Sequence, residues 1–264
     1  MQKVTHSEYI AQKKPLAKQL LAKLNEKYQY ASVLITDNYE KGYRASRSGV
    51  AISATNAFGG KGMIVKVYDG KGYAEYSTNE ITAENLPEIE REIEQQLMNP
   101  ANFIPEGTEE AEYKCISDEP CTLCEATDYE IHPREVGDEK LIETVTALRE
   151  KAVKADERIL DAITGFNYQE YHKLFLSANR ELEQSVLYST GIMTLVAAKG
   201  EEIKQSFRGF SNLGGAELLD KMESAIPQCV KTVTDLLNAE PMEPGTYECI
   251  CTPEVTGMIV HEAF

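Results

Sequence analysis

The strongest chemical signal in the chain is a pair of adjacent residues, His261 and Glu262. They sit in Pro253-Glu-Val-Thr-Gly-Met-Ile-Val-His-Glu-Ala-Phe264, a stretch that opens as a helix should. Thr252 suits the N-cap, and Pro253 suits the first turn, where its missing N–H had no intrahelical partner. A His-Glu step on a helix is how many zinc hydrolases begin their site. The neutral imidazole binds the metal, and the neighbouring carboxylate polarises the metal-bound water. The dipeptide alone also fits a solvated pair on the surface of an amphipathic helix, which is the commoner case.

Other reactive residues carry weaker signals. Cys115, Cys121 and Cys124, with His132 downstream, are spaced like half of a metal knuckle. A tetrahedral site usually needs a second close pair, so structural thiols are the simpler reading, with metal or redox roles the alternative. Cys249 and Cys251 alternate along a strand-like run and are expected in the core. His172, beside Tyr168 and Tyr171, reads as a packed or surface histidine, and His6 lies in an end segment expected to be mobile. Gly59-Gly60-Lys61-Gly62 lacks phosphate-binding spacing and reads as a turn.

The elements that must position these residues follow from periodicity. Leu16, Leu20, Leu21 and Leu24 recur at helical spacing after Pro15. Four β-like stretches follow, at Ala31–Asp37, Tyr39–Ser48, Val50–Asn56 and Met63–Tyr68. Asp69-Gly70 then opens a tight turn into Tyr73–Ser77. Thr82 caps a predicted helix to about Met98 whose Glu-rich face is solvated. Residues from Asn99 to Gly137 read as irregular, with Pro100, Pro105, Pro120 and Pro133. A helix is expected from Asp138 to about Ile163, and strands at Leu174–Ser177 and Val186–Ala198. A Gly-rich loop over Arg208–Gly215 leads to a helix to Leu237 that Pro227 could break. A strand at Thr246–Cys251 then precedes the His-Glu helix. The expected fold class is α+β, with mixed or antiparallel sheets and packed helices. Its regions are 1–100, a connection at 101–137, a second α+β region at 138–240, and a final strand and helix at 241–264.

Composition narrows the function. Twenty-seven Lys and Arg against 43 Asp and Glu give a formal charge of −16, which argues against nucleic acid as the main ligand. With 42% hydrophobic residues the 264-residue chain can bury a sizeable core. No run approaches the about 18 apolar residues of a membrane span, and the amino terminus has no signal-peptide pattern. A cytoplasmic protein with reduced thiols is expected, with no membrane or nucleic-acid partner.

Two stretches resemble a known family. Pro244-Gly-Thr-Tyr-Glu-Cys-Ile-Cys-Thr-Pro-Glu-Val-Thr-Gly-Met-Ile-Val-His-Glu-Ala-Phe264 is similar to the opening of the protease motif of the TldD/PmbA family, which continues as His-Glu-x-x-x-His. The glycine-punctuated run from Gly60 to Leu86 is similar to that family's N-terminal segment. The resemblance implies the catalytic TldD branch, since the PmbA (TldE) branch lacks His-Glu. It implies zinc bound by His261, Glu262 as the catalytic carboxylate, and a peptide or unfolded-protein substrate. It also implies a homodimer, or a heteromer with a non-catalytic TldE/PmbA-like paralogue. The family's second His and further Cys ligand would fall beyond Phe264, so the resemblance implies that 241–264 is the start of a β-rich metalloprotease domain and that the chain is the N-terminal portion of such a peptidase, inactive alone. On a regular helix, His positions five apart point about 140° from each other, so the helix must end or distort between two such ligands. The alternative is a non-catalytic scaffold or dimerisation module that regulates a partner protease.

Overall fold

Three strands too long for a single partner organise the chain: Tyr30–Ser46, Ile159–Ser177 and Arg180–Lys199, of 17, 19 and 20 residues. The structure is a computed structural model and describes residues 1–54, 60–98 and 113–263. Its first half runs β1 (Gln2–Lys3), α1 (Glu8–Lys27), β2 (Tyr30–Ser46), β3 (Gly49–Ala54), β4 (Lys61–Tyr68), β5 (Tyr73–Thr78) and α2 (Leu86–Met98). Then come β6 (Cys121–Ala126), β7 (Asp128–Tyr129), α3 (Pro133–Val136), α4 (Asp138–Lys154), β8 (Ile159–Ser177) and β9 (Arg180–Lys199). β10 (Glu202–Leu213), α5 (Leu218–Leu236) and α6 (Pro253–Ala263) follow. The fold class is α+β.

The main sheet has the order β10-β9-β8-β2-β4-β5, with every neighbour along that path antiparallel. The long strands divide their outer edges. Residues 30–37 of β2 pair with β4 and residues 41–46 with β3. Likewise residues 180–185 of β9 pair in parallel with β6, and residues 188–199 with β10. β8 pairs with β2 from Ser32↔Ser177 to Ala45↔Thr164, so one sheet joins residues of the first hundred to residues beyond 138.

Alternation along β8 shows where the core sits. Every even-numbered residue from Ala162 to Leu176 is buried, as a strand with one covered face requires. Phe166 and Tyr168 join Tyr43, Leu187 and Leu195 under α4 and α5. Leu174 and Leu176 join Val33, Ile35 and Val65 under α1 and α2. Two apolar clusters thus lie side by side on one face of the sheet. Between them on that face, β8 places Glu170 and His172.

Several local expectations change in the folded chain. α1 begins well before Pro15, because Ser7 caps it and its Oγ accepts from the Ile10 N–H at 3.2 Å; Pro15 lies inside the helix. Ala31–Asp37 and Tyr39–Ser48 form the single strand β2. Gly42 does not break it; the glycine allows a close approach, since a Cβ there would meet Asn167 Oδ1 at 2.0 Å. The helix expected to reach Ile163 ends at Lys154, where an Asp156 turn takes the Arg158 N–H at 2.9 Å and redirects the chain into β8. The segment expected to be irregular carries β6, β7 and α3 in its described part; Asn99, Pro100 and Pro105 lie outside the described residues. Most of the Gly-rich stretch after Arg208 belongs to β10, held in register with β9 as far as Leu213↔Tyr188. Pro227 leaves α5 continuous.

The strand expected at Thr246–Cys251 does not form, and Cys249 and Cys251 are exposed. Alternation supplies one apolar face, but a strand also needs a partner's backbone, and the described residues supply none there. The turn at Asp69-Gly70 forms, with Gly70 at φ +100° and the Asp69 carboxylate accepting from the Lys71 and Gly72 N–H groups. Those backbone donors hold the Asp69 carboxyl below its usual range. Gly60 also sits in a close backbone contact: its carbonyl accepts from Asn38 N–H at 2.7 Å, and a Cβ would lie 1.9 Å from Asn38 O. Gly59 lies outside the described residues.

Candidate functional site

α6 forms where the Thr252-Pro253 start places it, with the Thr256 N–H bonded to Thr252 O at 2.9 Å. His261 and Glu262 occupy its last turn and are exposed. No residue of α6 is buried, and Val255, Met258, Ile259 and Val260 all stand about half exposed. Phe264 lies outside the described residues. Among the described residues no group of three or more His, Cys, Asp or Glu is placed to hold a metal. His261 therefore offers one imidazole without the further donors that a zinc site requires, and the described residues do not by themselves fit that ion.

The cysteines do not assemble either. Cys115, Cys121 and Cys124 are free and exposed, and Cys229 is buried with its thiol pushed up by desolvation. His132 joins none of them. It caps α3, its Nδ1 accepting from the Arg134 N–H at 3.2 Å, and its Nε2 lies 3.7 Å from Glu170 Oε1.

The structure gathers a different set of residues, at the seam between the two apolar clusters. Strand register lays Asp37, His172 and Ser185 in one row across β2, β8 and β9, with Tyr39 beside Glu170 in the next. The start of α1 and the short helix α3 close over these rows. His172 Nδ1 lies 3.0 Å from Ser185 Oγ, which lies 2.8 Å from His6 Nδ1; His6 Nε2 is 3.4 Å from Cys124 Sγ. His6 is therefore pinned, contrary to the mobile end expected for it, because β1 pairs with β7 and brings it against β9. Three of the four histidines meet around Glu170 and Ser185.

Above this network lies a cleft of about 480 Å³, lined by His6, Ser7, Asp37, Lys61, Arg134 and His172 among others. Ser7 Oγ donates to Asp37 Oδ2 at 2.6 Å, and Lys61 Nζ stands 3.7 Å from Asp37 Oδ1. Two cations lie against aromatic rings: Lys61 Nζ is 5.0 Å from the Tyr9 centroid and Arg134 Cζ 4.3 Å from that of Tyr39. Ser185, His172 and Glu170 follow the order of a nucleophile, a base and an orienting carboxylate. Ser185 is only 1% exposed, however, and His172 Nε2 stands 3.6 Å from Glu170 Oε2. A hydroxyl sealed from solvent cannot meet a substrate, so this row holds structure.

Glu170 is 6% exposed, and its charge is tolerated because Arg134 lies against it, with His132 and His172 beside it. Burial alone would raise its pKa; contact with His172 and the charges of Arg134 and His132 outweigh burial and hold the carboxyl below its usual range. Arg134 Nε is 2.7 Å from Glu170 Oε1, although that oxygen accepts no aligned hydrogen bond. A carboxyl whose folded pKa is depressed adds stability above its unfolded pKa of about 4.3, and that gain is lost as pH falls through the folded value. Glu170→Gln should therefore be less stable than wild type at about pH 6, with the gap closing toward about pH 3. Urea unfolding of both proteins across that window checks this; a gap that does not change with pH would contradict it.

Alternation gave a usable hint of this site. Glu170 and His172 fall in phase with the buried face of β8, where Phe166, Tyr168, Leu174 and Leu176 are apolar. Polar residues in phase with a core stripe mark a seam or a site. The strand expected from Leu174 begins beyond both residues and so misses them.

No protein-family profile and no curated protein matches the chain. Solved structures do match its fold. One is a candidate modulator of DNA gyrase from Bacteroides thetaiotaomicron, with a TM-score of 0.63 at 15% identity, covering 87% of this chain and 51% of that one. Another candidate gyrase modulator, from Thermotoga maritima, gives 0.66 at 14% identity, covering 88% and 50%. TldE from Thermococcus kodakarensis gives 0.58 at 13% identity, covering 83% and 47%. The fold is shared with these TldD/PmbA-like proteins. The chain spans about half the length of the solved structures it matches.

Proposed function

We propose that this chain is the N-terminal part of a TldD-like zinc-dependent peptidase acting on peptides or unfolded segments. The observation that carries the reading is His261-Glu262 on a helix started by Thr252-Pro253, in a chain with the fold of TldD/PmbA-like proteins. In this reading His261 is one metal ligand, and Glu262 is a base that does not bind the metal. The other ligands come from residues beyond those described. Zinc, when bound, supplies the polarisation of water; this chain contributes the helix that holds the two side chains. The exposed Val255, Met258, Ile259 and Val260 are apolar surface that a further domain would cover. The protein works as a homodimer or with a non-catalytic TldE/PmbA-like paralogue, in the cytoplasm.

The experiment compares the 264-residue chain with a full-length protein from the complete reading frame. The full-length protein should cleave an unstructured peptide, lose that activity to a chelator and regain it with zinc. The shorter chain should do neither and should retain well below stoichiometric zinc after dialysis, since one imidazole makes a weak site. A full-length protein without chelator-sensitive cleavage would favour the second reading, a scaffold regulating a partner protease.

A further inference from the structure

The cleft at the seam concentrates hydrogen-bonding capacity that the protein does not spend. Lys61 Nζ is too far from Asp37 Oδ1 for a hydrogen bond, at 3.7 Å, and makes none to the described residues. Arg134 commits only Nε, to Glu170, and the outer nitrogens of its guanidinium fork bond to no described residue. The Tyr9 hydroxyl, on the Lys61 side, is shielded from solvent without a hydrogen-bond partner among the described residues. Burial, with the nearby Asp37 charge, raises its pKa, so it stays protonated as a donor. The acceptors, in contrast, are engaged or sealed from solvent: Glu170 Oε1 accepts no hydrogen bond, but it is buried beneath Arg134. Asp37 takes the Ser7 hydroxyl and faces Lys61, while Glu170 faces Arg134, His132 and His172. What remains on offer is a set of donors, two of them permanent cations, on a chain whose net charge is −16.

We propose that this cleft binds a small carboxylate, its oxygens held between Lys61 and the open fork of Arg134. A planar guanidinium matches a carboxylate in two parallel hydrogen bonds, and a lysine adds a point charge from the other side. The carboxylates of Asp37 and Glu170, with Glu8 at the rim, oppose a doubly charged phosphate more than a singly charged acid. The site uses no residue of α6, so it stands or falls independently of the peptidase reading. Two sources share this chemistry: a free small acid, or the C-terminal carboxylate of a peptide.

Backbone-amide NMR titrations of the 264-residue chain, at about pH 7, test the proposal. The probes are acetate, an N-acetylated dipeptide acid, the same dipeptide as its C-terminal amide, and inorganic phosphate. The expected result is a saturable shift at residues 5–9, 37–39 and 170–172 with an acid, at a Kd on the order of 0.1–1 mM. The amide should not bind. Acetate binding as tightly as the dipeptide acid identifies a free acid; tighter binding of the dipeptide acid identifies a peptide terminus. Lys61→Gln should weaken binding by about tenfold, and Arg134→Lys, which keeps the charge and loses the fork, by about fivefold. Lys204→Gln, outside the cleft, should have no effect. No saturable shift, equal binding of the amide, tighter binding of phosphate, or unchanged affinity in both cleft variants would each overturn the proposal.

Discussion

Glu262→Gln in the full-length protein is expected to keep its metal and lose peptide cleavage by a factor on the order of 10²–10⁴. The substitution preserves the shape of the side chain and its place on the last turn of α6, and removes only its capacity to take a proton. Exposure matters here. Glu262 has no buried contacts in the described fold, so its replacement has little structure to disturb. His261→Ala should behave differently and lose metal and activity together, because removing a ligand weakens the site itself. The measurement is paired: zinc per chain, and the cleavage rate of an unstructured peptide, for both variants and wild type. If Glu262→Gln cleaves at the wild-type rate, the His-Glu pair is a surface feature and the scaffold reading takes precedence.

Phe166→Ala should destabilise the fold by about 3–5 kcal/mol. Phe166 is fully buried, and register places it between Tyr43 on β2 and Gly191 on β9. The bare Gly191 leaves room for Met222 of α5 to descend on the sheet; a Cβ there would meet Met222 Sδ at 2.4 Å. The ring thus fills the middle of a tight layer bounded by Tyr168, whose centroid is 6.5 Å away. Removing it leaves a cavity that two long strands cannot easily close. Phe166→Leu, which retains most of the apolar volume, should cost under about 1.5 kcal/mol. The chain has no tryptophan, so far-UV circular dichroism and tyrosine fluorescence in urea are the readouts. A loss under about 1 kcal/mol for Phe166→Ala would show that the layer can collapse around the gap.

What the sequence determined by itself was local. Thr252-Pro253 started α6 in place because capping depends only on the first turn's own unpaired N–H groups. Asp69-Gly70 made its turn because positive φ and an Asx acceptor are properties of neighbouring residues. The α+β class followed from the change of period between helices and strands. The tertiary structure decided everything that depends on a partner distant in the chain. Asn38 falls between two expected strands, yet β8 pairs with β2 straight through it and makes one strand. Cys249 and Cys251 have the alternation of a core strand, but no strand among the described residues pairs with them, so they are exposed. The seam site joins His6 to Ser185 across 179 positions and Asp37 to His172 through strand register. Periodicity says which residues share a face, because side-chain direction is a local property of the backbone. Only the assembled sheet says what that face meets, and so only the fold placed two polar residues of a buried stripe beneath a cleft.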